Sequence, residues 1–107
     1  MKNNYVFKYI RVECPEPVEG QYWIYILECN DGSLYCGSTN DLKDRLNRHN
    51  AGEGAEWTKK RLPVVLVYFE KYDTLISAQR QEKQIKGWSV IKKENLISGK
   101  WHKITPR

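Results

Sequence analysis

The amino-acid sequence predicts an α+β fold, a small three-stranded, mainly antiparallel sheet with flanking helices in the order β-β-α-β-α-α. Three observations carry this. The runs 22–29 and 64–72 have the aromatic and β-branched composition of strands. Asn30-Asp31-Gly32 is a strong turn signal between two extended segments. Three further segments each open on a Thr, Asn, Asp or Ser and continue with apolar residues at helical spacing. The 107 residues suit one domain with a single modest core.

Along the chain, Cys14 to Gly20 reads as a linker, because Pro15 and Pro17 remove backbone donors and Gly20 frees the chain before a new element. Residues 1–20 are therefore expected to be an N-terminal extension, in which Tyr5 to Val12 form either an edge strand or a loosely attached arm. The packed domain is expected at 21–98, and 99–107 as a basic C-terminal tail. Tyr22 to Cys29 is the first strand, and Ser33 to Gly37 returns as its hairpin partner. Asn40 or Thr39 caps a helix from Asp41 to about Asn50, where Asp41 and Asp44 suit the positive end and Gly52 follows the last turn. Val64 to Tyr72 reads as a strand covered on both faces. Asp73 or Thr74 caps a second helix to about Lys86, and Ser89 a third to about Ser98.

Composition narrows the function. Lys and Arg number 18 against 13 Asp and Glu, a formal net charge of +5, and 12% aromatic residues argue against general disorder. No apolar run approaches the roughly 20 residues needed to cross a bilayer, and Met1 to Asn4 lead into no signal-type segment. Cys14, Cys29 and Cys36 form no CxxC pair and leave one over, which suits the reducing cytosol and small core residues. The charge is uneven: residues 1–20 balance to zero, whereas residues 80–107 carry eight basic side chains against Glu82 and Glu94. Such a basic end fits a polyanion, or else is a solvated helix face with a lysine-rich tail.

Periodicity singles out particular side chains. In the hairpin, a two-residue loop places Tyr35 on the Ile24 face, and a three-residue loop places it opposite Leu27, on the face of Tyr25. In the second case two phenols stand close together; both tyrosines can equally be core aromatics. On the first helix, Arg45 and His49 are spaced i, i+4 beside the apolar stripe of Leu42 and Leu46, where they could meet a phosphate, or else be a surface Arg and a helix C-terminal His interacting with the dipole. On the second helix, Glu82 falls on the stripe of Leu75, Ala78 and Ile85. A carboxylate there is costly unless paired, with Lys86 or Arg45, or bound to a hard cation such as Mg²⁺. In a loop, Trp57-Thr58 precede Lys59, Lys60 and Arg61, and this interleaving suits a nucleic-acid strand through stacking and phosphate contacts.

Trp23-Ile24-Tyr25, nine residues, then Tyr35-Cys36-Gly37 resembles the paired motif of the GIY-YIG nuclease superfamily. Arg45 and His49 on a helix, the run Gly52 to Thr58, Leu62-Pro63-Val64, Glu82, and Trp88 with Lys92 and Lys93 extend the similarity from about Tyr22 to Ser98. The run is closest to small stand-alone bacterial GIY-YIG proteins. Trp23 stands where the family has its first glycine and Cys36 where it has isoleucine.

The resemblance implies metal-dependent hydrolysis of phosphodiester bonds in DNA, structure-tolerant or weakly sequence-specific, serving DNA repair or processing in the cytoplasm. Tyr25 and Tyr35 would line the site, one of them helping to deprotonate water. Arg45 would stabilise charge on phosphate, His49 would assist proton transfer, and Glu82 would hold one Mg²⁺ or Mn²⁺. Lys59, Lys60, Arg61, Lys83, Lys86, Lys92 and Lys93 would contact nucleic acid. Asn95 lies roughly where the superfamily often has an asparagine. Specificity would come from a protein partner, since there is no room for an added domain. The alternative is a nucleic-acid-binding module that keeps the nuclease fold without useful turnover.

Overall fold

The computed structural model describes residues 5–99. The basic tail expected at 99–107 lies, apart from Gly99, outside the described residues. The elements are β1 (Tyr22–Cys29), β2 (Leu34–Thr39), α1 (Leu42–Asn50), α2 (Glu56–Lys59), β3 (Val64–Tyr72), α3 (Leu75–Lys86) and α4 (Val90–Ser98). One three-stranded antiparallel sheet has the order β2-β1-β3. None of the described helices is long and apolar enough to cross a membrane.

Alternation along β1 divides the core in two. Trp23, Tyr25, Leu27 and Cys29 pack with Leu42 of α1 and with Val64 and Leu66 on one face. Ile24 and Ile26 pack with Cys36, Val67, Ala78, Ile85 and Leu96 on the other, beneath α3 and α4. Every residue from Trp23 to Cys29 is buried, as the central strand of a sheet covered on both sides requires. β2 is an edge strand, so α1 on one face and α3 on the other meet around it.

The hairpin uses the three-residue loop. The Cys29 N–H donates to Ser33 O and the Gly32 N–H to Cys29 O, and Leu27 stands opposite Tyr35. Tyr25 and Tyr35 therefore share a face.

Several local expectations are corrected. Asp41 caps α1, its side chain accepting from the Asp44 N–H, because Thr39 is the last residue of β2 and uses its hydroxyl to accept from the Asp41 N–H. Trp57 to Lys59 are not loop but part of the one-turn helix α2, too short to leave a periodic signal. Leu75 is 46% exposed, so the buried stripe of α3 begins at Ala78. Thr74 and Ser89 cap α3 and α4.

Residues 5–20 contain no strand or helix, yet the arm is docked. The Val12 N–H donates to Leu66 O on β3, and Val12 and Cys14 pack against the Tyr25 side of the core. At the end of β1, the fully buried Glu28 carboxylate accepts from the Lys8 N–H at 2.7 Å, the Tyr9 N–H at 3.1 Å and the Tyr5 hydroxyl. A buried charge of this kind persists only because it is multiply hydrogen-bonded.

Candidate active site

Five side chains singled out by sequence converge around the β2 edge. Tyr25 comes from β1, Tyr35 from β2, Arg45 and His49 from α1, and Glu82 from α3. The Tyr25 and Tyr35 rings lie 6.5 Å apart, and His49 is 5.8 Å from the first and 5.4 Å from the second. Tyr35, Arg45 and His49 share an open cleft of about 480 Å³ with Arg48, Asp44 and Glu53.

Tyr25 reaches this edge because Gly37 stands opposite it and has no side chain. A Cβ at Gly37 would lie 2.6 Å from the phenol Cζ, well inside van der Waals contact. The ring instead lies across the glycine, and its hydroxyl meets His49 Nε2 at 3.0 Å. Gly54 does the same for the imidazole: a Cβ there would sit 2.8 Å from ring carbons of His49. His49 was expected beside the apolar stripe of its helix; it is in fact buried, covered by the loop that Gly54 brings close.

The His49 ring has two hydrogen bonds whose directions can be worked out. Nδ1 lies 2.8 Å from the hydroxyl of the buried Thr58, and that hydroxyl donates its single proton to Ala55 O. Thr58 therefore accepts from Nδ1–H, which leaves Nε2 as the acceptor for the Tyr25 hydroxyl. Burial, reinforced by the Arg45 charge, lowers the His49 pKa from 6.5 to about 4 and keeps the ring neutral near pH 7. Burial also raises the Tyr25 pKa, with Arg45 opposing it. Tyr25 thus holds its proton at neutral pH and points it at a base.

On the other side of β2, Glu82 Oε1 accepts from the Ser38 hydroxyl at 2.5 Å and Oε2 pairs with Lys86 at 2.9 Å. The Ser38 carbonyl accepts from Arg45 Nη1 at 3.4 Å, so one β2 residue ties the carboxylate to the guanidinium. Lys86 Nζ stands 5.5 Å from the centre of the Tyr35 ring, and its pKa is raised, chiefly by the bond to Glu82. Among the described residues no three of His, Cys, Asp and Glu form a metal cage. A single half-buried carboxylate suits a hard ion such as Mg²⁺, which keeps several waters and binds phosphate oxygens. Cys36 is unsuited to any such role, because burial pushes its thiol up to about 12.

The basic residues divide. Lys59, Lys60 and Lys83 are exposed. Lys86 is paired with Glu82, and Lys92 lies over the Trp88 ring at 4.5 Å. Lys93 lines a groove beside Tyr35. Arg61 is spoken for inside the protein: it pairs with Asp31 at 2.8 Å, donates to Trp57 O and lies over the Trp57 ring. Asn95 lies on α4, its carbonyl accepting from the Ser98 hydroxyl. Sequence reasoning missed Gly37 and Gly54 as close-approach residues, Ser38 as the link to Glu82, and Thr58. Only Gly37 carried a hint, as the last residue of the second motif.

Comparison with known proteins places the chain in a family. The GIY-YIG catalytic domain family matches residues 21–95. A UPF0213 protein of Staphylococcus saprophyticus is 49% identical over 78 residues, covering 73% of this chain and 95% of that protein. One of Haloquadratum walsbyi is 48% identical over 75 residues, covering 70% and 84%. Among solved structures, the solution NMR structure of a protein of E. faecalis is 33% identical, with a TM-score of 0.54, over 81% of this chain and 91% of that one.

Proposed function

As the chain belongs to the GIY-YIG catalytic-domain family, we propose that it is a metal-dependent endonuclease that hydrolyses phosphodiester bonds in DNA. The observation that carries this reading is the hydrogen-bonded chain Tyr25–His49–Thr58 beside Arg45 and Glu82. A module that only binds nucleic acid needs surface lysines, not a buried phenol aimed at a neutral imidazole.

In this reading an attacking water gives its proton to the Tyr25 oxygen as the Tyr25 proton passes to His49 Nε2. Thr58 holds His49 in the tautomer that can accept it. Tyr35 forms the wall against which the phosphate lies, and Arg45 stabilises the negative charge developing on the phosphate oxygens. Glu82 would hold one Mg²⁺ or Mn²⁺, which when bound supplies Lewis-acid stabilisation of the leaving 3′ oxygen. Lys59, Lys60 and Lys83 contact flanking phosphates. The biological setting that suits this chemistry is DNA repair or processing in the cytoplasm, with a protein partner supplying any sequence preference.

The test is cleavage of labelled duplex, branched and single-stranded DNA in Mg²⁺ or Mn²⁺ against EDTA. Cleavage that requires the metal supports the proposal; salt-sensitive binding with no cleavage of any substrate overturns it.

The pH profile carries a further prediction. His49 is faced by Tyr25, Tyr35, Arg45 and Thr58, and its shift is set by burial and by the Arg45 charge. The rate should hold as pH falls through 6.5 and drop only on approach to about 4, where Nε2 becomes protonated. Stability follows the same group. The unfolded chain binds the proton first, so folding stability should decline between about 6.5 and about 4. A rate that halves near 6.5 would contradict the assignment of His49 as a buried neutral acceptor.

A further inference from the structure

Tyr35 has a second open side. Opposite the cleft with Arg45 and His49, it borders a groove of about 350 Å³ whose other walls are Leu34, Cys36, Trp57, Lys86 and Lys93. Trp57 is 46% exposed and lines this groove, an amphipathic ring with one polar edge and a wide apolar face. It is nevertheless held in place. Its Nε1–H donates to Ser33 Oγ at 3.2 Å, and the Arg61 guanidinium lies 3.5 Å from the ring centre. Arg61 is fixed in turn by Asp31 and by the Trp57 carbonyl. An indole backed by a cation, tethered at its nitrogen and open toward a groove is a stacking surface ordered before any ligand arrives. Across the groove Lys93 makes no ion pair with any described residue.

We propose that this groove is a subsite for one unpaired nucleobase of the substrate strand, next to the phosphate held at Arg45. The base stacks on Trp57, and its backbone phosphate lies toward Lys93. The inference rests on the nuclease reading through the shared wall Tyr35, and it adds the substrate class. In continuous duplex both faces of each base are already stacked, so only a single-stranded, flapped or looped position can offer a face to Trp57. Arg61 then serves nucleic acid indirectly, as the backing of the stacking surface.

The experiment measures binding in EDTA, where turnover does not intervene. A single-stranded oligonucleotide carrying 2-aminopurine at successive positions is compared with its duplex, using wild type, Trp57→Leu, Trp57→Phe and Lys93→Gln. Stacking should quench the fluorescence at one position with wild type and Trp57→Phe but not with Trp57→Leu. Trp57→Leu should weaken single-strand binding on the order of ten-fold, with duplex binding changed less than about two-fold. Lys93→Gln should lower the salt dependence of single-strand binding by about one phosphate contact. Absence of quenching with wild type overturns the subsite and does not depend on any variant folding. So does a folded Trp57→Leu that binds and quenches like wild type. Metal-dependent cleavage without a Trp57 effect would sink the subsite and leave the nuclease standing. A Trp57-dependent base site without cleavage would do the reverse.

Discussion

Gly37→Ala is expected to lower the cleavage rate by about 100-fold or more, although it adds one methyl group and changes no charge. Nothing in the Gly37 backbone demands glycine, since its φ is not positive. The obstacle is Tyr25, whose Cζ would lie 2.6 Å from the new Cβ. That ring is 1% exposed and hemmed in by the core it shares with Leu42 and Leu66, so it cannot step aside without moving the hydroxyl from His49 Nε2. A displacement of about 1 Å in a reacting group can cost about 100-fold in rate. Overpacking should also cost stability, about 1–3 kcal/mol. Gly87→Ala is the control: its Cβ would meet nothing closer than 3.6 Å, and both rate and stability should stay near wild type. Single-turnover cleavage with urea unfolding of the same samples reads both effects. Wild-type rates in Gly37→Ala would mean that the position of Tyr25 does not matter.

Glu28→Leu is expected to have the largest effect on stability and little on catalysis. The carboxylate is fully buried at the end of β1 and accepts from Tyr5, Lys8 and Tyr9 of the N-terminal arm. Hydrogen bonds to a charged group contribute about 1.5–3 kcal/mol each. The loss is capped, because the arm can peel away and return its donors to water. A net loss of about 2–4 kcal/mol follows, enough to lower Tm by more than about 10 °C in a domain of this size. Deleting residues 1–12 should cost a similar amount, and the two changes together little more than either alone, since both undo the same docking. Additive losses would show that Glu28 and the arm stabilise the fold separately. Per folded molecule, cleavage should survive all three, because the arm does not line the cleft around Arg45 and His49.

Much of this fold was legible because its signals are local. The three strands, the caps Thr74 and Ser89, and the antiparallel hairpin come from composition and turn chemistry. The site was partly legible, because a carboxylate on an apolar stripe is rare enough to notice: Glu82 lies beside Ala78 and Ile85, bonded to Ser38 and Lys86. Whether Tyr25 and Tyr35 share a face hung on one residue of loop length, which periodicity could not decide. Contacts made at long sequence separation left no trace. The donors to Glu28 from Tyr5, Lys8 and Tyr9 lie 19 to 23 residues away in the chain, and Thr58, though nearer to His49, reaches it from a helix of four residues, too short to leave a periodic signal. The segment 5–14 alternates between half-buried and exposed residues like an edge strand, yet it forms no strand, because Glu28 and a single bond to Leu66 O hold it in place of a regular ladder.

The most direct test is the single-turnover rate of DNA cleavage in Mg²⁺ for wild type, Glu82→Ala and Tyr25→Phe, each first checked for a wild-type unfolding transition. Tyr25→Phe keeps the ring over Gly37 and removes only the hydroxyl that meets His49, so it isolates the proton chain. Glu82→Ala removes the one carboxylate offered to the metal and leaves the phenols in place. Wild type should cut, and both variants should fold and lose at least about 100-fold in rate. Two folded variants that cut as fast as wild type would contradict the assignment of the hydrolytic centre to this edge of the sheet.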